Sequence, residues 1–372
     1  MSAYESTLVM PDRPSASRPS PKRPSSNRPN HGGNLEQFMR DRNLAQSMLD
    51  LSSAVNPRSY PSLDDLESSW AQLPYLTEGT RKRIARYYES EHFVLVPGSQ
   101  WAIEVLPKLI IEQAKYADKL TVCLPCSGYA EHRFHWSKQT LKRVQIDDYA
   151  FTPSEKQLLD CDVCVVINPH NPLGHVLDFD SMQAMAYQAT KSDTWLIVDE
   201  AFVDFHAGVS IAQLVNQPGY EKLIVLRSFG KFSGLPGARL GAIGAHEKVL
   251  ADICACLPLW GIGSAALSVF DRVVNDTEWF VDAKAWVAAS SSQLHSLLTN
   301  VFPAVTSSAL LFSSVRCNHA KAWFECLVKE GVYVRLLDDH SGLRFSLPRD
   351  AHQFSQLNNS LTTVSTLMDS QS

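Results

Sequence analysis

Residues 228 to 241, Ser228-Phe229-Gly230-Lys231-Phe232-Ser233-Gly234-Leu235-Pro236-Gly237-Ala238-Arg239-Leu240-Gly241, set one lysine among groups suited to holding a phosphate. The lysine amine can join an aldehyde as a Schiff base. The Ser228 hydroxyl and the Arg239 guanidinium can bond phosphate oxygens, and the glycines let backbone approach closely. An aldehyde and a phosphate on one small molecule describe pyridoxal phosphate.

Two other readings compete for the same stretch. Ser228 and Lys231 have the S-x-x-K spacing of penicillin-binding serine enzymes, and Ser192-Asp193-Thr194 weakly echoes their second motif, but no Lys-Thr-Gly follows. A glycine-rich surface turn is the plainer reading, and turns seldom need Lys, Ser and Arg together.

The chain must fold to position such groups, and its composition says that it does. Its 372 residues, 45% hydrophobic and 20% charged, suit a soluble globular protein with one large core or two modest ones. The formal charge of −5 lacks the basic balance of a nucleic-acid binder. No apolar run approaches the roughly 18 residues that crossing a bilayer requires. A small-molecule partner is the expectation. Eight cysteines are too few for a disulfide scaffold, although Cys123 with Cys126 and Cys161 with Cys164 form two Cys-x-x-Cys pairs. Each pair overlaps a β-like apolar run, where residues i and i+3 point to opposite faces, so buried reduced thiols are expected and no metal site.

Residues 1–30 are dominated by Pro, Ser and Arg and read as a disordered arm. The arm lacks the apolar core of a secretory signal, and its prolines prevent an amphipathic transit helix, which leaves the cytoplasm by elimination. From Phe93 onward apolar runs alternate with helix-like stretches: Phe93-Val96, Leu120-Leu124, Val144-Ile146, Val163-Ile167, Trp195-Val198, Leu223-Leu226 and Leu240-Gly244. That alternation predicts an α/β sheet. Trp101, Val105 and Leu109, with Leu106 and Ile110, predict a helix that starts at Gly98-Ser99-Gln100 and is kinked at Pro107. Its first N–H groups make a phosphate seat, unless Ser99 is only a cap. The last hundred residues, with Val332-Arg335 and Leu343-Ser346, read as a smaller α/β lobe. No internal repeat of fixed period is visible.

In open α/β sheets ligands bind beyond the carboxyl ends of strands. After Trp195-Val198 comes Asp199-Glu200-Ala201-Phe202, where a buried carboxylate can pair with a protonated pyridine nitrogen. A Walker B strand would also end in acid, but no G-x-x-x-x-G-K-[ST] loop is present. After Val163-Ile167 comes Asn168-Pro169-His170-Asn171-Pro172-Leu173-Gly174, whose amides can reach a phenolic oxygen or serve only as loop punctuation. After Leu120-Leu124 comes Pro125-Cys126-Ser127-Gly128-Tyr129, a tyrosine that can stack on a ring or sit half-buried in a loop.

Gly98-Gln100, Tyr129, Asn171, Asp199, Ser228, Lys231 and Arg239 thus come in order at successive strand ends. This order resembles the fold-type I pyridoxal-phosphate enzymes, the aspartate aminotransferase superfamily, from about His31 to Pro348. The resemblance implies a large domain with a mostly parallel seven-stranded sheet, a smaller α/β domain, and a homodimer with sites at the interface. The expected divisions are 31–75 for a segment serving the small domain and the site, 76–260 for the cofactor domain and 261–372 for the small domain. It further implies Lys231 as the Schiff-base lysine, Asp199 at the pyridine nitrogen, Asn171 at the phenolic oxygen and Ser99, Gln100, Ser228 and Arg239 around the phosphate. Arg344, in Leu343-Arg344-Phe345, matches the arginine that receives the substrate carboxylate. Arg335 is a second candidate anion ligand. Either arginine has an exposed structural role as its alternative.

Within the superfamily, His31-Gly32-Gly33-Asn34, Leu49 to Pro57, Tyr129-Ala130-Glu131-His132, Ser228-Phe229-Gly230-Lys231 and Leu343 to Pro348 are similar to the threonine-phosphate decarboxylases of cobalamin biosynthesis. The resemblance implies decarboxylation of L-threonine O-3-phosphate, with His31, Gly32, Gly33 and Asn34 at the substrate phosphate. Histidinol-phosphate aminotransferase is the alternative. Those enzymes usually carry tyrosine where this chain has Phe202, and a Tyr-Pro where it has Leu73-Pro74, with Tyr75 next. Leu173 also departs from the usual Thr or Asp. A regulator with a DNA-binding helix-turn-helix is a third reading, which the proline-rich arm does not support.

Overall fold

The computed structural model describes residues 29, 31–61, 63, 64, 66–113, 119–139, 143–307 and 309–370. The arm read at 1–30 lies outside the described residues apart from Pro29.

Twelve strands are assigned among the described residues: β1 (Leu49–Leu51), β2 (Phe93–Val96), β3 (Lys119–Pro125), β4 (Arg143–Tyr149), β5 (Val163–Ile167), β6 (Trp195–Asp199), β7 (Leu223–Ser228), β8 (Gly241–Ala245), β9 (Val305–Thr306), β10 (Phe312–Arg316), β11 (Val332–Leu336) and β12 (Gly342–Ser346). Seven form one sheet in the order β2-β8-β7-β6-β5-β3-β4. Only β8 runs against its neighbours, pairing antiparallel with both β7 and β2.

The apolar runs lack alternation because both faces of this sheet are covered. All five residues of β5 are buried. Alternate residues of a strand join different cores: Val163, Val165 and Ile197 pack in a layer with Ile103, Leu106 and Ile110 of the helix Ser99–Gln113. Cys164, Val166, Leu196 and Val198 face the opposite layer with Met182 and Ala186 of the helix Phe179–Lys191. The helix Ser99–Gln113 continues through Pro107.

The second sheet has the order β1-β11-β12-β10-β9. Its edge strand comes from far upstream, with Leu49 opposite Val332 in a parallel pairing. In the antiparallel pair β11 and β12, Arg335 stands directly opposite Arg344. The helices Ala320–Lys329 and Ala351–Asp369 pack together beside it. Because β3, β5, β6 and β7 are parallel, their carboxyl ends share one edge of the large sheet. The carboxyl end of β2, which runs the same way, and the start of the reversed strand β8 lie at that edge too.

Candidate active site

That edge holds a cavity lined by Gly98, Ser99, Gln100, Tyr129, Asn171, Asp199, Phe202, Ser228, Lys231 and Arg239. Every residue expected to hold the cofactor is therefore on one wall or another of a single space. Lys231 lies in a short helix, Phe229–Phe232, capped by Ser228 at the end of β7. Burial, with Arg344 and Arg239 nearby, pushes its amine down to about 8 against the opposing pull of Asp199. Lys231 Nζ stands 5.6 Å from the centre of the Phe202 ring. Phe202 is buried against Phe312, with ring centres 5.2 Å apart.

The phosphate end is shaped by backbone. Gly98 has φ of +77°, and a Cβ there would come within 2.9 Å of Arg239 Nη2, so the glycine makes room for the guanidinium. Arg239 itself adopts φ of +50°, a conformation non-glycine residues seldom hold away from functional turns. A Cβ at Gly241 would lie 2.4 Å from Ser99 N, so β8 presses against the start of the helix Ser99–Gln113. That helix start carries N–H groups without intrahelical partners, and Gly98, Ser99 and Gln100 line the cavity together with Ser228 and Arg239.

At the other end, Asp199 is 3% exposed, with His132 Nε2 at 3.0 Å from Oδ2 and the Ala201 N–H donating to Oδ1 across 3.1 Å. An anion seat, an amine and a buried carboxylate around one cavity match the phosphate, aldehyde and ring nitrogen of pyridoxal phosphate. The donor set therefore fits that cofactor.

A second cavity adjoins the first and is lined by His31, Gly32, Ser52, Tyr129, Asn171, Lys231, Arg335, Asp338 and Arg344. Arg344 is 8% exposed and donates from Nη1 to Asn171 Oδ1 and from Nη2 to the Ser52 carbonyl, both at 2.6 Å. Its Nε has no hydrogen-bond partner, and burial, with Arg335 across the strand pair, lowers it to about 10. A buried guanidinium with an unpaired donor is a seat for a carboxylate. Arg335 donates from Nη2 to Asp338 Oδ1 at 2.6 Å.

The His31–Asn34 segment differs in part from expectation. His31 and Gly32 line the cavity that Lys231 enters, whereas Gly33 and Asn34 line only an outer extension of it. The Gly33 N–H donates to Ser52 Oγ at 2.8 Å, and the Asn34 side chain accepts from Gln37 N at 3.2 Å to cap the helix Leu35–Asp41. Local structure thus occupies the Gly33 N–H and uses the acceptor oxygen of Asn34, which leaves the Asn34 NH2 as that side chain's donor and the imidazole as the segment's side chain on the inner cavity. The thiols differ too: Cys126 is exposed, because it lies just past β3 rather than within it. Cys123, Cys161 and Cys164 are buried side by side, the first and third being register partners on β3 and β5.

Sequence reasoning passed over Ser52, Asp338, His132 as the partner of Asp199, and Glu131. The last is 1% exposed and joins His31 to Gln100. Its spacing to His135, one helical turn on, was the available signal.

Residues 70–349 match the family aminotransferase class I and II. The chain is 31% identical over 333 residues to threonine-phosphate decarboxylase of Pseudomonas aeruginosa, covering 89% of this chain and 96% of that protein. It is 26% identical over 339 residues to an adenosylcobalamin biosynthesis bifunctional protein of Leptospira interrogans, covering 84% of this chain and 38% of that longer one. Among solved structures, histidinol-phosphate aminotransferase from Sinorhizobium meliloti in complex with pyridoxal-5'-phosphate shares the fold, with a TM-score of 0.74 at 16% identity over 90% of this chain and 95% of that one. The chain belongs to the aminotransferase class I and II family and, within it, to the group of the threonine-phosphate decarboxylases.

Proposed function

We propose that this protein decarboxylates L-threonine O-3-phosphate to (R)-1-aminopropan-2-yl phosphate in cobalamin biosynthesis, with pyridoxal phosphate as its cofactor. The observation that carries the reading is the likeness to the Pseudomonas decarboxylase over 89% of the chain. The likeness to the Leptospira protein supports the pathway. The geometry supports the chemistry.

When bound, the cofactor supplies an aldehyde that condenses with amines and a ring that accepts the electron pair left at Cα as carbon dioxide departs. Ser99, Gln100, Ser228 and Arg239 would hold its phosphate end, Tyr129 would pack on its ring, and Asn171 would reach its phenolic oxygen. Asp199, fixed by His132, keeps a proton at the ring nitrogen. Lys231, pushed down to about 8, would be free to pass between ammonium and amine near neutral pH, and its ammonium form would return a proton to Cα, leaving the neutral amine. Arg344 receives the substrate carboxylate, while His31, Gly32, Gly33, Asn34 and Arg335 surround the substrate phosphate. Two anchored ends would stop rotation at Cα, so that Arg344 and the residues around the phosphate would choose which of its bonds is presented for cleavage.

In this reading residues 76–260 carry the cofactor, 261–372 form the smaller domain, and 31–75 serve both. The enzyme works as a homodimer in the cytoplasm. A face for the second copy is offered by the exposed side chains of Trp70, Leu73, Tyr75, Leu259 and Trp260, on segments joined where Ser264 Oγ donates to the Gln72 carbonyl.

The test is NMR of the cofactor-loaded protein with L-threonine O-3-phosphate and no keto-acid acceptor. Catalytic release of carbon dioxide and aminopropanol phosphate is expected. Absence of turnover, with conversion of histidinol phosphate once 2-oxoglutarate is added, would move the function to the aminotransferases.

A further inference from the structure

Glu131 stands second in the helix Ala130–Ser137 and is 1% exposed. A carboxylate so far from water is costly unless donors surround it. Three side chains do so here. His31 Nε2 lies 2.7 Å from Oε1, Gln100 Nε2 donates to Oε2 across 2.7 Å, and His135 Nε2 lies 3.1 Å from Oε2. Gln100 in turn accepts from the Tyr129 hydroxyl at 3.0 Å. One carboxylate therefore connects a residue of the cofactor phosphate end, the residue that packs on the ring, and an imidazole 100 positions upstream.

The two histidines differ in a way that separates support from recognition. His135 is buried and lies one turn along the same helix, as a local structural partner would. His31 keeps 40% of its side chain exposed and lines both the cavity that Lys231 enters and its outer extension. With Nε2 donating to Glu131, Nδ1 is the ring nitrogen left, and it donates to an incoming anion when the ring is an imidazolium beside the Glu131 carboxylate. The ring is also held 5.5 Å from the Tyr129 ring, centre to centre. The Gly33 N–H is engaged with Ser52, and Asn34 lines only the outer extension, so this imidazole is the segment's side chain on the cavity that Lys231 enters.

We propose that Glu131 is the positioning residue for recognition of the substrate phosphate: it fixes His31 against the wall of the cofactor cavity, so that the far end of the substrate is read by a group registered to the cofactor through Gln100. The inference rests on the proposed function for the phosphorylated nature of the substrate. It makes Glu131 a residue that acts through His31, without touching substrate or cofactor itself.

A double-mutant cycle on the cofactor-loaded protein tests it, with Glu131→Gln, His31→Ala and the pair. Glu131→Gln keeps the shape but removes the charge and turns one accepting oxygen into a donating NH2, and Glu131→Ala removes the side chain's polar end altogether. The expected result is a rise in KM for L-threonine O-3-phosphate of about tenfold in Glu131→Gln and in His31→Ala, no further rise in the double variant, and kcat within about twofold of the parent. Binding of unphosphorylated L-threonine, followed by titration of the visible absorbance of the loaded protein, is expected to stay unchanged. Hydrogen exchange of the peptide spanning 31–41 is expected to accelerate in both Glu131 variants.

Additive rises in KM, equal weakening toward L-threonine, or unchanged exchange at 31–41 would overturn the proposal and leave Glu131 a structural residue of its helix. If the parent protein does not decarboxylate L-threonine O-3-phosphate, the function reading has failed. The same cycle run with histidinol phosphate and 2-oxoglutarate, together with the exchange measurement, still decides the role of Glu131.

Discussion

His132 Nε2 lies 3.0 Å from Asp199 Oδ2, with both side chains almost wholly buried. The imidazole therefore fixes the rotation of the carboxylate expected at the cofactor ring nitrogen and completes its hydrogen bonding. His132→Asn should lower kcat about tenfold with little change in KM, since it weakens the electron sink and leaves the substrate anchors alone. Steady-state kinetics beside a melting curve checks this. A large loss of Tm with unchanged kcat would make the pair purely structural.

Lys231 carries the pH dependence of cofactor loading. Its amine, pushed down to about 8 by burial and by Arg344 and Arg239, attacks an aldehyde only when neutral. The rate at which the cofactor-free protein takes up pyridoxal phosphate should therefore rise with pH and level off above about 8. Arg344→Met removes a cation that favours the neutral amine, so the midpoint should move up, toward the ordinary lysine value of 10.5. Stopped-flow absorbance across pH 6.5 to 10 reads both, and a midpoint that fails to move would mean that burial alone sets the value.

Gly98→Ala should weaken the cofactor site more than the fold. The new Cβ would meet Arg239 Nη2 at 2.9 Å, on backbone at φ of +77° that alanine adopts at a cost of about 1–2 kcal/mol. Dissociation of pyridoxal phosphate, followed by fluorescence titration, should weaken about tenfold, whereas a fall in Tm without loss of affinity would separate Arg239 from the phosphate.

Asp338 holds the Arg335 guanidinium at 2.6 Å, and an arriving substrate phosphate must compete with it. Removing that charge with Asp338→Asn should lower KM for L-threonine O-3-phosphate about twofold to threefold at low salt. The gain should fade near 0.5 M salt, because Asp338 is 63% exposed and screened. A raised KM would instead mean that Asp338 orients Arg335 productively.

Much of the large sheet was legible because its strands are covered on both faces and so appear as unbroken apolar runs. All seven runs read from Phe93 to Gly244 are strands, six of them within a residue or two at their ends, while Val144-Ile146 stops three residues short of Tyr149. The order of Ser99, Tyr129, Asn171, Asp199, Ser228 and Lys231 was legible for the same reason, since parallel strands deliver the residues at their carboxyl ends to one edge. The antiparallel direction of β8 was not, because direction leaves no mark on a run as short as Gly241–Ala245. Nor was the convergence of Cys123, Cys161 and Cys164, which depends on how β3 and β5 register. Arg335 and Arg344 looked like independent candidates, yet the β11–β12 register sets them opposite one another, where Arg335 adds to the cost of charging the buried Arg344. The Glu131 cluster escaped because its partners lie 31 and 100 positions away, and only the tertiary fold makes a buried carboxylate tolerable there.

The pairing of β1 with β11 also orders events on the ribosome. Leu49 to Leu51 leave the exit tunnel among the first described residues, but their parallel partner begins at Val332. Throughout synthesis of the larger sheet this strand has no companion, and with it waits the segment that carries His31. Domains of this size mature as units while the chain emerges, so the cofactor half can close first and the substrate half only at the end of translation. A nascent chain halted before residue 332 would then be expected to take up pyridoxal phosphate yet have no settled place for the substrate.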